Sequence, residues 1–224
     1  METLIALGPS NTVAEVRLRY GETCTTEAGA MIAMSPDLSI ETSTHKKNKG
    51  GIGKALKRLF AGESFFMNHY TAQKDARLFL APTLSGDIFQ YPLSGGKIII
   101  QSGSFLACEE KVDIDTGWQG FQSIFSGESL FWLEASGQGK VLVSAFGSIY
   151  CVEVEDNYIV DTGHIVAFED SLKFNLSKAG SSWLHSIAGG EGIVCRFTGK
   201  GKVWCQSHNP SSFGFALQPH LKTR

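Results

Sequence analysis

The sequence predicts an all-β protein, on three observations. Glycine is frequent and proline scarce, 25 against 6, and many glycines with few helix-period segments imply many tight turns between short strands. Alternating apolar runs recur at short intervals along the chain. Two short motifs also return three times in the same order, the mark of related stacked units.

The first motif reads "EAGAMIAMSPDLSI" from Glu27, "QSGSFLACEEKVDI" from Gln101 and "DTGHIVAFEDSLKF" from Asp161. Each has a glycine (Gly29, Gly103, Gly163), a short apolar run and then an alanine (Ala33, Ala107, Ala167). Polar or turn-forming residues and a second alternating segment follow. The second motif reads "LFAGESFF", "IFSGESLF" and "IAGGEGIV", with the pairs Gly62-Glu63, Gly127-Glu128 and Gly190-Glu191. "GESLFWLEASGQGKVLVSA" and "GEGIVCRFTGKGKVWCQS" each read as strand, glycine-rich turn and strand, hence as β-hairpins. The first copy reads as a hairpin turning at Gln-Lys-Asp. "VRLRYGETCTTEAG", "FQYPLSGGKIIIQSG" and "YCVEVEDNYIVDTG" supply a strand–turn–strand before each first motif.

Three units result, near 13–83, 88–147 and 149–208, within one compact domain spanning 1–224. A short β unit cannot bury both faces alone, so three units packed about a pseudo-threefold axis are expected. "LFWL", from Leu130 to Leu133, is apolar at consecutive positions, as in a strand covered on both faces. The motif glycines are expected at turns or bulges that need positive φ or close backbone approach.

The spacing from the first-motif glycine to the Gly-Glu pair is 24 residues in unit two and 27 in unit three, but 33 in unit one. The excess coincides with the basic stretch "KKNKGGIGKALKR". It is not a phosphate-binding P-loop, because Asn48 stands where the first glycine belongs and Ala55 where a Ser/Thr would hold magnesium. Ile52, Ala55, Leu56, Leu59 and Phe60 instead form an apolar stripe at helical spacing, so one short amphipathic helix is expected near 52–60. Lys46, Lys47, Lys49, Lys54, Lys57 and Arg58 form the candidate patch for an anionic partner. The bland reading is a helix that packs its stripe on the sheet and solvates its lysines.

The net charge is −2. Outside the basic stretch, 14 basic residues face 22 acidic ones, a balance that argues against general nucleic-acid binding by bulk charge. The five cysteines (Cys24, Cys108, Cys151, Cys195, Cys205) lie in or beside apolar runs. They are expected as buried free thiols in a reducing compartment. The first residues lack a basic n-region, and no window reaches the length of a membrane span. The expected location is therefore cytoplasmic.

Catalytic signatures are sparse. Cys205-Gln-Ser-His208 alone has ligand-like spacing and lacks a second pair, so no metal and no cofactor are expected. His164 occupies a strand position held by Ala30 and Ser104 in the other copies, which favours a structural role. Glu63, Glu128 and Glu191 recur once per unit. Three such carboxylates can converge on an axis, but a catalytic residue normally breaks a repeat, and acceptance of backbone N–H groups is the expected role.

The run "GGIGKALKRLFAGESFFMNHYTA", with "EAGAMIAMSPDLSIET" before it and "LAPTLSGDIFQYPL" after it, resembles the uncharacterised TRAP-like proteins. These are related to the fungal "altered inheritance of mitochondria" mitochondrial-biogenesis proteins. The resemblance covers most of the chain and is most specific over residues 27–135. It implies three β-sandwich or double-stranded β-helix units like those of the trp RNA-binding attenuation protein, and it brings no catalytic set. The expectation is a non-enzymatic scaffold or binding protein, homo-oligomeric or bound to another protein, that organises a protein or membrane-surface assembly. The alternative is an RNA- or small-ligand-binding module using clefts between the units, with nucleic acid the less favoured partner.

Overall fold

A computed structural model describes residues 1–44, 65–116, 132–178 and 193–221. Taken in three stretches along the chain, the first, residues 1–80, holds β1 (Glu2–Ala6), β2 (Val13–Leu18), β3 (Thr23–Glu27), β4 (Met31–Met34), β5 (Leu38–Thr44), β6 (Phe66–Ala72) and β7 (Ala76–Leu80). The second holds β8 (Ile88–Gln101), β9 (Phe105–Glu109), β10 (Val112–Asp115) and β11 (Trp132–Ser144). The third holds β12 (Ile149–Val154), β13 (Asn157–Asp161), β14 (Ile165–Glu169), β15 (Lys173–Lys178), β16 (Ile193–Thr198) and β17 (Gly201–Gln206), followed by the helix α1 (Pro210–Leu217). The predominance of β structure agrees with the sequence.

The expected hairpins are corrected. Among the described residues, no ladder joins β2 to β3, β6 to β7 or β16 to β17. Each strand–turn–strand segment instead rounds a corner from one sheet into the next, and its two arms pair with other segments. Glycines at the corners adopt positive φ, among them Gly21 at 81° and Gly95 at 93°, a region closed to most side chains. Paired segments turn together: the Gly21 N–H donates to the Ala72 carbonyl at 2.8 Å, and the Ala72 N–H to the Glu22 carbonyl at 3.0 Å. In the second stretch the corner is so gradual that β8 and β11 run as single strands of 14 and 13 residues. Their shared ladder shifts register between Ser136 and Gln138.

The pairing is regular. β2 and β4 flank β7, while β3 and β5 flank β6. The first half of β8 and β9 flank the second half of β11; the second half of β8 and β10 flank its first half. β12 and β14 flank β17, and β13 and β15 flank β16. Two further ladders join these groups. Thr26 of β3 lies opposite Ala107 of β9, and Ile100 of β8 opposite Ala167 of β14. The outcome is one ten-stranded sheet with a four-stranded and a three-stranded sheet beside it.

The first-motif strands share an irregularity. Partners step from Leu80 to Phe79 between Met31 and Ala33, from Val143 to Leu142 between Phe105 and Ala107, and from Cys205 to Trp204 between Ile165 and Ala167. Ile32, Leu106 and Val166 are thus each the extra residue of a β-bulge, three positions after the motif glycine. The reasons expected for those glycines hold at two positions. Gly29 has φ 93°, and a Cβ on Gly163 would run into the Asn209 side chain. Gly103 meets nothing closer than the Gln101 amide oxygen at 3.5 Å and has no positive φ, so neither reason applies there.

The core has three clusters, centred on Tyr70, Leu78 and Leu80; on Ile98, Ile100, Phe105 and Leu133; and on Phe168, Phe197 and Val203. Side chains cross between the groups, since Leu106 and Leu142 pack in the first cluster and Ile99 and Trp132 in the third. Each large apolar side chain buried this way contributes about 1.5–3 kcal/mol. Trp132 and Leu133 are both buried, as consecutive apolar residues require. Leu130 and Phe131 lie outside the described residues.

The helix expected near 52–60, the basic residues Lys46 to Arg58, and Gly62, Glu63, Gly127, Glu128, Gly190 and Glu191 also lie outside the described residues. The described α-helix is a different one, after the last strand. Asn209 caps α1, its Oδ1 accepting from the Ser211 N–H at 2.9 Å and the Ser212 N–H at 3.3 Å. Pro210 occupies the first turn, where its missing N–H costs nothing. Among the described residues, no helix is long and apolar enough to cross a membrane.

Candidate functional site

Among the described residues, two open clefts lie beside the smaller sheets. One, of about 570 Å³, is lined by Arg17, Arg19, Glu22, Ser35, Asp75 and Arg77, among others. Most of its charged side chains already have partners. The Arg17 Nε donates to Glu15 at 2.9 Å, and Arg77 lies 3.9 Å from the same carboxylate. Asp75 accepts from the Tyr20 N–H at 3.1 Å. The Arg19 backbone N–H, and after it the amino terminus, hold the Glu22 carboxyl below its usual range.

The other cleft, of about 430 Å³, is lined by Tyr150, Val152, Tyr158, Ile159, Asp161, His164 and Cys205, among others. β12 and β13 supply the aromatic and aliphatic wall, and the 3-10 turn Thr162–His164 supplies the histidine. His164 Nδ1 lies 2.8 Å from the Gln206 carbonyl oxygen. A carbonyl can only accept, so in the neutral ring Nδ1 carries the proton and Nε2 is left as an acceptor. Asp161 Oδ1 accepts from the Gly163 N–H at 2.8 Å. Burial pushes the Cys205 thiol up to about 11, despite a hydrogen bond with Tyr150 that lowers it. The group is therefore a thiol at neutral pH, without the thiolate that nucleophilic chemistry requires.

The other predicted positions divide as follows. Cys24, Cys108 and Cys195 are buried and free, with burial pushing Cys24 and Cys195 to about 12. Cys151 is exposed on β12, which corrects the expectation that every thiol is buried. Its strand lies at a sheet edge, so an apolar neighbourhood in sequence did not become a covered face. His208 Nδ1 meets Ser207 Oγ at 2.8 Å. Among the described residues, no three His, Cys, Asp or Glu side chains come together as a metal site.

Two features escaped the sequence. His69 bridges three strands, with Nδ1 2.8 Å from Thr25 Oγ1 and Nε2 2.7 Å from Ser43 Oγ. Glu27, at the end of β3, has its carboxyl pushed up to about 7 by burial. Neither carries a local motif, because both depend on strands brought together from distant parts of the chain.

Comparison with known proteins places the chain among relatives of unassigned role. An uncharacterised protein of Streptococcus pyogenes serotype M6 is 27% identical over 218 residues, covering 94% of this chain and 87% of that one. The crystal structure of a Streptococcus pyogenes protein superimposes with a TM-score of 0.82 at 26% identity, covering 98% of this chain and 99% of that one. Residues 5–208 match the family model "Mitochondrial biogenesis AIM24". The match takes in every strand from β2 to β17, and on it the chain belongs to the Mitochondrial biogenesis AIM24 family.

Proposed function

We propose that the protein is a non-enzymatic scaffold, built from three TRAP-like units in sequence, that organises an assembly. One observation carries this reading: the same pairing scheme and the same bulge recur in all three stretches of the chain. Residues are thereby used to build and join sheets rather than to converge on a reacting centre. The side chains with catalytic potential in the clefts fit this account. The Cys205 thiol is held protonated, and His164 and Asp161 are already tied to backbone groups. The basic residues Lys46, Lys47, Lys49, Lys54, Lys57 and Arg58 are the proposed contact for an anionic partner on the strength of their charge, with anionic lipid as the probe. Flotation with vesicles containing phosphatidylserine tests this. The wild type is expected to float and a K46E/K47E/K49E variant to stay at the bottom; equal behaviour of the two removes the membrane role.

A second reading is supported by the cleft beside β13. Its walls are tyrosine, valine and isoleucine on one side and Cys205, Gln206 and Ser207 on the other, with one imidazole acceptor and one carboxylate. That chemistry suits a small, partly apolar ligand with a hydrogen-bond donor, and among the described residues no lysine or arginine lines the cleft for a phosphate backbone. Native mass spectrometry of the protein purified from its own cells is expected to show a bound small molecule lost in a Tyr158→Ala variant. A clean apo mass counts against this reading.

A further inference from the structure

We infer that the helix α1 is a lipid contact, its phenylalanines lying among the headgroups of an anionic bilayer. The inference rests on the membrane role proposed above and adds an apolar contact to the charged one. Contacts that hold α1 to the body lie near its start. Asn209 caps it, and the same side chain fills the space a Cβ on Gly163 would need. Phe213 packs edge-on against Phe146, with ring centroids 5.2 Å apart. Even so, every residue from Ser212 to Leu221 is exposed.

What is exposed is apolar. Phe215 is 71%, Leu221 66%, Phe213 43% and Leu217 40% exposed. A helix this short is marginal in water unless an apolar face is packed, and the body packs only part of this one. Each residue advances a helix by about 100°, so Phe215 stands on the opposite side from Phe213 and Leu217. A groove on a protein partner reads a single stripe at i, i+3 and i+4. Apolar side chains on two sides suit a medium that surrounds the helix, as the boundary between headgroups and acyl chains does. Eight residues rise about 12 Å, too little to cross a bilayer, so α1 lies in its surface.

The charge has the sign an anionic surface requires. The chain has 20 basic and 22 acidic residues. Those after Glu191 include five of the basic residues and none of the acidic ones. α1 itself, Pro-Ser-Ser-Phe-Gly-Phe-Ala-Leu, is uncharged, and Lys222 and Arg224 follow the exposed Leu221. An uncharged apolar helix with cations next to it in sequence is the composition of an interfacial anchor. Burial of phenylalanine and leucine supplies the affinity, and attraction of lysine and arginine to the headgroups selects anionic lipid.

Phe215→Cys on a Cys151→Ser background, labelled with the polarity-sensitive dye nitrobenzoxadiazole, tests the contact in the full chain. With vesicles containing phosphatidylserine its emission is expected to move to shorter wavelength. With phosphatidylcholine alone, or without vesicles, it should keep its value in water. In flotation, Phe215→Ser and Leu221→Ser should each weaken binding by at least about tenfold, while Leu4→Ser, at an exposed position of β1, leaves it unchanged. Near-UV circular dichroism checks that each variant folds. A wild type that floats while the dye stays unshifted overturns the inference and leaves the membrane role of the basic segment standing. A dye shift that survives K46E/K47E/K49E supports the inference and removes the basic segment from the contact. An equal shift with both lipids, or a dye already shielded before lipid is added, overturns the inference; the second result would mean that protein, not lipid, covers α1. Neither flotation nor shift would overturn both.

Discussion

Glu27 shows how a single side chain senses the fold. Burial lifts its carboxyl to about 7, against about 4.3 in an unfolded chain. Between those values the native state binds the extra proton, so stability from this group is full below about pH 4.3 and is lost as pH rises through 7. The shift corresponds to at most about 4 kcal/mol, and partial solvation of the carboxyl reduces this to about 1–2 kcal/mol. Urea denaturation at pH 5 and pH 8 should show this loss in the wild type and little of it in Glu27→Gln. The residue at the same offset is Gln101 in the second stretch, where its side-chain oxygen accepts from Ser104 Oγ at 3.1 Å. In the third stretch it is Asp161, which accepts from the Gly163 N–H. All three positions are polar, and each neighbourhood gives its residue a different task. At Phe168, packed against Trp132, Phe174 and Phe197 at ring distances of 5.1–5.8 Å, substitution by alanine should cost about 3–5 kcal/mol in chemical denaturation.

Among the elements, the first-motif glycines give a differential prediction. Gly163→Ala pushes a methyl into the Asn209 side chain, the cap of α1, and should cost about 1–2 kcal/mol with fraying of that helix. Gly103→Ala meets only an ordinary contact and should change stability by less than about 0.5 kcal/mol. Thermal unfolding of the two variants side by side checks this, and equal losses would argue against the assigned role of Asn209. The strands themselves were largely legible in the sequence, because "VRLRY", "SFLAC" and "KVLVS" alternate or run apolar between glycines. Their partners were not. A glycine-rich turn between two strands reads as a hairpin, and only the ladders show that Gly21, Gly95 and Gly137 turn a corner instead. Asn209-Pro210 is a readable helix start, but the eight residues from Pro210 to Leu217 carry no marked apolar stripe, so periodicity gives no sign of the helix.

For the whole molecule, the order of the motifs was legible, and with it the β class. The clefts were not, since Tyr150, Tyr158 and His164 become neighbours only through β12, β13 and the turn after them. The basic segment was legible as composition alone. What the ladders add is a rule for joining sheets, used twice inside the chain, between β3 and β9 and between β8 and β14. Amide hydrogen exchange tests it most directly. Backbone N–H groups in the two joints, within residues 24–26 and 107–109 and within 98–100 and 167–169, should be among the slowest to exchange. Fast exchange at both joints would contradict the account.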